Sequence, residues 1–285
     1  MKIIEGKKIA EEILGTIKKQ TSSFSRMPGL AVILVGDDEA SKTYVQMKKK
    51  ISQECGILFF DYLLPETSSK EEIETVVNHL NLDEDIDGIL VQLPLPSHLN
   101  KREILEKILP SKDVDGLTTA NQKLLETGEG FLCPFPKAIL FLLRSCEEKK
   151  YTKNALIITN SDEFGIYMKS LLEKENLLAE YSIFINKENL EKITRPYDII
   201  ISAVGIASLI TADMVKDGAI VIDGGIEKKE GKVKGDIDQQ GFEKKEGYLS
   251  PVPGGVGPVT VACLVENVVL AYKKKNSFMN KEFLI

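Results

Sequence analysis

The stretch LIITNSDEFGIYMKSLL, Leu156 to Leu172, decides how the chain is read. An apolar run of strand character enters a polar turn and leaves with apolar residues at helical spacing, which is how a dinucleotide-binding βα unit begins. The turn itself, however, has no glycine before Gly165. Further short apolar runs follow: AEYSIFI at 179–185, YDIIISAVG at 197–205 and DGAIVIDGG at 217–225. They are almost continuously hydrophobic, as strands buried on both faces of a parallel sheet must be. The polar run EEKKYTKN from Glu147 reads as the loop feeding this sheet, and EGKVKGD at 230–236 as a hairpin or loop excursion. A long final helix is expected after Pro258, because proline suits a first helical turn.

Upstream the same alternation occurs once more. GLAVILVG at 29–36, GILFFDYLL at 56–64 and IDGILVQLPLP at 86–96 are separated by helical patterns near 39–54 and 69–81. The opening MKIIEGKKIAEEIL reads as a strand followed by an amphipathic helix. Strands alternating with helices predict parallel sheets covered by helices, and 285 residues accommodate two such domains. The expected fold class is therefore α/β with two domains.

Bulk properties exclude several functions. Hydrophobic content of 43%, charged content of 28% and a net charge of -6 describe an ordinary globular protein without the basic footprint of a nucleic-acid binder. The start lacks the apolar core of a secretory signal, and no later apolar run is read as long enough to cross a membrane, so no membrane partner and a cytoplasmic location are expected. Cys55, Cys133, Cys146 and Cys263 are far apart and form no C-x-x-C, while His79 and His98 have no partner at ligand spacing. No metal site is expected, and a Ser-His-Asp hydrolase is disfavoured.

The chemistry-bearing residues cluster in the first half. Read as a helix with about 100° per residue, SKTYVQMKKKISQECGI at 41–57 places Tyr44, Lys48, Ile51 and Cys55 on one stripe with Met47 beside it. Lys42, Gln46, Lys49 and Lys50 point elsewhere, so Lys48 is the inward lysine. Either its stem runs along apolar surface to water, or partial burial lowers its pKa and makes it a proton-transfer group. Tyr44, one turn earlier, is placed to wall a ring-bearing substrate. Gln92 interrupts the apolar run at a carboxyl strand end, where ligands bind in open α/β sheets; it either touches a ligand or bonds nearby backbone. Asp113 and Asp115 in SKDVDGL either build a turn or present a carboxylate to a two-donor edge such as an aminopyrimidinone. The glycines of PVPGGVGP, at 251–258, either admit a ligand to the backbone or form a plain turn.

Together, IIEGKKIAEEI, VGDDEASKTYVQMKKK, DGILVQLPLP, PSKDVDGLTTAN and SPVPGGVGPVTVACLVEN resemble the methylenetetrahydrofolate dehydrogenase/cyclohydrolase family over nearly the whole chain. The resemblance implies a folate-binding catalytic domain, 1–121 with 260–285, closed by the C-terminal helix. It also implies a Rossmann-like NAD(P)-binding domain at 122–259, a cleft between the two holding the folate, and a homodimer. It assigns proton transfer to Lys48, tuning of that lysine to Gln92, the pterin to Asp115 and the aminobenzoyl ring to Tyr44. Val91, Leu93, Pro253, Gly254, Gly255, Val256 and Gly257 are the further expected substrate contacts. The implied reaction removes hydride from 5,10-methylenetetrahydrofolate to NADP or NAD, then hydrolyses the methenyl product to 10-formyltetrahydrofolate. Tetrahydrofolate one-carbon substrates are the expected partners.

The expected cofactor residues are Thr159, Asn160, Ser161, Gly165, Asn186, Gly205 and Ile226. Here the chain departs from its relatives, which read G-R-S where this one has Thr159, Asn160 and Ser161, P-C-T-P where it has CPFP with Phe135, and proline where it has Tyr167. A branched side chain at a tight phosphate turn and the loss of an arginine predict weakened or altered dinucleotide preference. Asn186 and Lys187 are placed either to contact the cofactor's ribose or its 2'-phosphate, or to lie in a solvent loop. Besides the bifunctional enzyme, a cyclohydrolase with a decayed dinucleotide site and a noncatalytic folate-binding protein are the readings to be separated.

Overall fold

The structure, a computed structural model, describes residues 1–146, 154–187, 190–229 and 232–282, with side chains described to 277. The first strands in chain order are β1 (Lys2–Ile3), β2 (Gly29–Val35), β3 (Leu58–Leu64), β4 (Gly88–Val91), β5 (Asn154–Thr159) and β6 (Leu178–Ile183). They are followed by β7 (Ile199–Ala203), β8 (Ile220–Asp223), β9 (Glu227–Lys229), β10 (Lys232–Lys234) and β11 (Tyr248–Leu249). The helices are α1 (Gly6–Thr21), α2 (Glu39–Glu54), α3 (Lys70–Leu82), α4 (Lys101–Leu105) and α5 (Thr119–Glu126), then α6 (Pro134–Ser145), α7 (Asp162–Lys174), α8 (Leu190–Thr194) and α9 (Val256–Glu282). Most of the loop expected from Glu147 lies outside the described residues, as do two residues of the β9–β10 hairpin.

The chain divides into two compact units, Met1–Ala10 with Phe135–Thr260, and Glu11–Pro134 with Val261–Ile285. The division expected from sequence differs at residues 1–10, at 122–134 and, by one residue, at 260. Residues 1–10 go with the later segment because β1 pairs in parallel with β11, Lys2 opposite Tyr248 and Ile3 opposite Leu249. Residues 122–134 stay with the earlier one: the buried Asn121 amide donates to Phe131 O at 2.7 Å and its Oδ1 accepts from Phe131 N at 2.8 Å.

In the unit containing Glu11–Pro134, three parallel strands lie in the order β3-β2-β4. All seven residues of central β2 are buried, which explains its unbroken hydrophobicity. Leu30, Val32 and Leu34 face Ile17 of α1 and Leu264, Val265 and Val268 of α9, while Ala31, Ile33 and Val35 face Ile73, Val77 and Leu80 of α3. The strand's period of two thus divides one run between two cores. Asp38 caps α2 by accepting from Ser41 N at 2.7 Å, and Ser69 and Glu72 form a capping box on α3.

α9 corrects two expectations. It begins at Val256, two residues before Pro258, which falls in the first turn where its missing N–H has no intrahelical partner to lose. Its stretch Val256–Ser277 is also long and apolar enough to cross a membrane by length and composition, but 67% of the most apolar window is buried, as in the core helix of a globular unit.

The other unit carries a parallel sheet in the order β1-β11-β8-β7-β5-β6. β5 is followed by β6 on one side, after which the chain returns to place β7 on the other. The strand order therefore reverses at β5 and β7, whose carboxyl ends frame a crevice of the type that binds ligands in open α/β sheets.

Candidate functional site

α2 and the carboxyl end of β4 bring together the first group of expected residues. Lys48 is half-buried and its Nζ donates to Gln92 Oε1 at 2.8 Å. Gln92, 9% exposed, is fixed at both ends: its backbone N–H donates to Ile33 O at 2.8 Å and its Nε2 to Leu93 O at 2.6 Å. The amide oxygen thereby faces the ammonium. Withdrawal from water lowers the Lys48 pKa from its ordinary value, and the charge of Asp115 opposes that shift. Burial likewise raises the Asp115 carboxyl to about 6, with Lys48 pulling it down and Asp113 pushing it up. Tyr44 is half-buried on the same helix, and loss of solvent raises its hydroxyl's pKa.

The two aspartates separate by role. Asp113 is buried and accepts from Gly116 N at 2.9 Å, Leu117 N at 3.3 Å and Thr118 N at 2.8 Å, so it builds the turn. Asp115 is the carboxylate coupled to Lys48. Within the stripe on α2, Cys55 is buried, Ile51 is half-buried and Met47 is 39% exposed. The helix buries Ser41, Val45 and Ser52 most deeply, so Lys48 sits at the margin of the buried face. The Val91 side chain is 1% exposed in the core with Ile33 and Ile73, so only its backbone is placed to face a ligand.

Pro253, Gly254, Gly255, Val256 and Gly257 belong to the other unit. Two of these glycines serve the backbone: Gly254 has φ +110°, and a Cβ on Gly255 would lie 2.5 Å from Pro251 O. Val256 is buried, while a Cβ on Gly257 would meet nothing within 4 Å.

At the β5–β7 crevice the unusual turn has its own construction. Thr159 is 1% exposed and its Oγ1 accepts from Ser161 N at 3.1 Å, so the branched side chain turns inward rather than toward a ligand. Asn160 is exposed and its Nδ2 donates across the crevice to Val204 O at 3.0 Å. Ser161 caps α7, accepting from Phe164 N at 3.2 Å. Asp162 and Glu163 occupy the first turn of α7, where they favour the helix dipole but oppose an incoming phosphate. Gly165 is required by packing, since a Cβ there would lie 2.5 Å from the Tyr181 ring. Phe135 and Phe164 pack with ring centroids 5.2 Å apart, and a Cβ on Gly224 would lie 2.8 Å from Phe135 Cζ. Gly205 has φ +84°, Ile226 is 44% exposed, and Asn186 and Lys187 are both exposed. The parallel sheet, the reversal of strand order, the amino end of α7 and the glycine turns fit a dinucleotide; the two acids and the aromatic pair narrow that fit.

Sequence reasoning missed Asp223 and Asp236, both fully buried beside this crevice. The available signal was an aspartate inside an apolar strand, followed by two glycines. Among the described residues, no group of three or more His, Cys, Asp or Glu is placed to hold a metal ion.

Two family models match successive stretches of the chain. Residues 4–115 match the family model described as the catalytic domain of tetrahydrofolate dehydrogenase/cyclohydrolase, and residues 133–276 match its NAD(P)-binding domain. A bifunctional protein FolD of Campylobacter curvus is 42% identical over 275 residues, covering 94% of this chain and 95% of that one. The crystal structure of the bifunctional FolD enzyme from Campylobacter jejuni superposes with a TM-score of 0.91 at 40% identity, over 96% of this chain and 99% of that one. The Trypanosoma brucei enzyme, solved with NADP and an inhibitor, superposes with a TM-score of 0.90 at 32% identity, over 96% and 97%.

Proposed function

Since the chain belongs to the tetrahydrofolate dehydrogenase/cyclohydrolase family, we propose how its own residues carry the family's two reactions. The chain oxidises 5,10-methylenetetrahydrofolate to the 5,10-methenyl form with NAD(P), then hydrolyses that product to 10-formyltetrahydrofolate. Bound NAD(P) supplies the hydride acceptor. Everything else falls to side chains described above.

Lys48 is the proton-transfer residue of the hydrolysis. Once water adds to the cationic methenyl carbon, opening of the ring requires a proton at the departing nitrogen and removal of one from the new hydroxyl. An amine with a lowered pKa can perform both transfers in sequence. The observation that carries this reading is the Lys48–Gln92 bond of 2.8 Å. It holds the ammonium at a strand's carboxyl end, while burial favours release of its proton. Asp115 binds the amino-pyrimidinone edge of the pterin, since a carboxylate accepts two parallel N–H bonds. Tyr44 packs on the aminobenzoyl ring. Leu93 supplies a further contact to the folate, and Thr159, Asn160, Ser161, Gly165, Asn186, Gly205 and Ile226 surround the dinucleotide. The assembly is a homodimer, to be measured by sedimentation.

A second reading, a cyclohydrolase that has lost its dehydrogenase step, draws support from Asp162 and Glu163 at the amino end of α7 and from the Phe135–Phe164 pair. The test is a dehydrogenase assay with NAD and with NADP beside a separate methenyl hydrolysis assay. Both activities are expected; hydrolysis without oxidation selects the second reading. Lys48→Met is expected to lower hydrolysis by about 10²- to 10⁴-fold, the range of a lost acid–base group. Full hydrolysis in that variant removes Lys48 from the mechanism.

A further inference from the structure

Asp236 collects four donors from one short segment. Its Oδ2 accepts from Ser202 Oγ at 2.6 Å and Val204 N at 2.8 Å, and its Oδ1 from Gly205 N at 2.9 Å and Ile206 N at 2.8 Å. All four belong to the end of β7 and the turn that follows it. Asp236 is itself held by Asp223 at the end of β8: Asp223 Oδ1 accepts from Asp236 N at 2.9 Å and Oδ2 from Ile237 N at 3.0 Å. Both carboxylates are fully buried. Glycines make the room, since a Cβ on Gly225 or on Gly235 would stand 2.0 Å from the Asp236 or the Asp223 carboxyl, respectively. Val204, pinned through its N–H, receives the Asn160 amide on its carbonyl at 3.0 Å. The turns after β5, β7 and β8 are thus joined in one chain of bonds, from Asn160 through Val204 and Asp236 to Asp223.

We propose that Asp236 is the positioning residue of the dinucleotide crevice, setting the turn 204–206 against the Asn160 turn so that the two present a preformed rim to NAD(P). The inference rests on the assignment of this crevice to the dinucleotide. It gives Asn160 a function distinct from phosphate recognition: its amide is a strut across the place where strand order reverses. Charged-acceptor bonds are the strong ones, and a buried carboxylate with four donors holds backbone more firmly than a neutral amide can. In Asp236→Asn the amide NH₂ must face at least one of three backbone N–H groups, so the turn has to move.

The experiment measures KM for NAD and for NADP, kcat of the dehydrogenase and the separate rate of methenyl hydrolysis in wild type, Asp236→Asn and Asn160→Ala. Asp236→Asn is expected to raise the dinucleotide KM about tenfold or more. Methenyl hydrolysis, carried by Lys48 in the other unit, should stay within about twofold. Simple destabilisation behaves oppositely, lowering both rates in proportion to the folded fraction without moving KM. A KM within about twofold of wild type in folded Asp236→Asn overturns the proposal. Should circular dichroism show that variant unfolded, the exposed Asn160→Ala carries the test with an expected rise of about threefold or more, and an unchanged KM there is equally decisive. A wild-type chain that hydrolyses but is never saturated by either dinucleotide overturns the dehydrogenase assignment and this proposal together; that result is read before any variant is made.

Discussion

Lys48 and Asp115 displace one another's titration in opposite senses: the carboxylate raises the amine, and the amine lowers the carboxyl. Removing either partner therefore exposes the effect of burial on the other. In Asp115→Asn, Lys48 is expected to titrate lower than in wild type, and in Lys48→Met, Asp115 is expected to titrate above its value of about 6. NMR titration of the lysine and carboxyl resonances reads both, and unmoved curves would show that the two groups do not interact. Each residue is singled out by a local pattern in the sequence, Lys48 one turn from Tyr44 and Asp115 two positions from Asp113 in a glycine turn, but their interaction is not, because α2 and this turn are far apart in the chain. Asp236 was not legible. Its partners lie 30 to 34 residues away, and a lone acid after a charged hairpin reads as a solvated turn until the fold brings Ser202 and Val204 to it.

At the scale of elements, the βα unit of β5 and α7 shows what a pattern of apolar residues can and cannot specify. The strand and helix follow from their periods, and both form where expected. Where Thr159 points does not follow, because its inward turn depends on a bond to Ser161 N that competes with exposure to a ligand. Gly165 reads as a phosphate-turn glycine, yet its measurable role is the approach of α7 to β6. Gly165→Ala is expected to destabilise the protein by about 1–3 kcal/mol through overpacking against the Tyr181 ring. In a Tyr181→Ala background the same substitution should cost less, because neighbouring residues are non-additive when they share one contact. Urea unfolding of the four proteins tests this, and equal costs in the two backgrounds would place the strain elsewhere.

For the molecule as a whole, raised carboxyls set a pH dependence: burial pushes up Asp113, Asp115 and Asp223 alike. Asp115 is raised to about 6 and Asp223 to about 7, each chiefly by burial, from 3.8. The unfolded chain releases these protons near pH 4, whereas the folded chain holds them longer, so over this interval the folded state binds more protons. Their contribution to stability is full below pH 4, declines as pH rises through 6 and 7, and is flat above. The urea midpoint is expected to be higher at pH 5 than at pH 8, and Asp115→Asn should flatten the lower part of the decline. A midpoint that rises over the same interval would show that these carboxyls are ionised in the folded state.

The parallel pair of β1 and β11 carries one more consequence. Lys2 leaves the ribosome long before Tyr248, and at bacterial or eukaryotic elongation rates of about 5–20 residues per second the gap is about 10–50 s. Throughout that interval β1 has no neighbour to pair with, so the six-stranded sheet is completed only once β11 has been made. A nascent chain halted before residue 248 would keep that strand loose and within reach of chaperones and proteases.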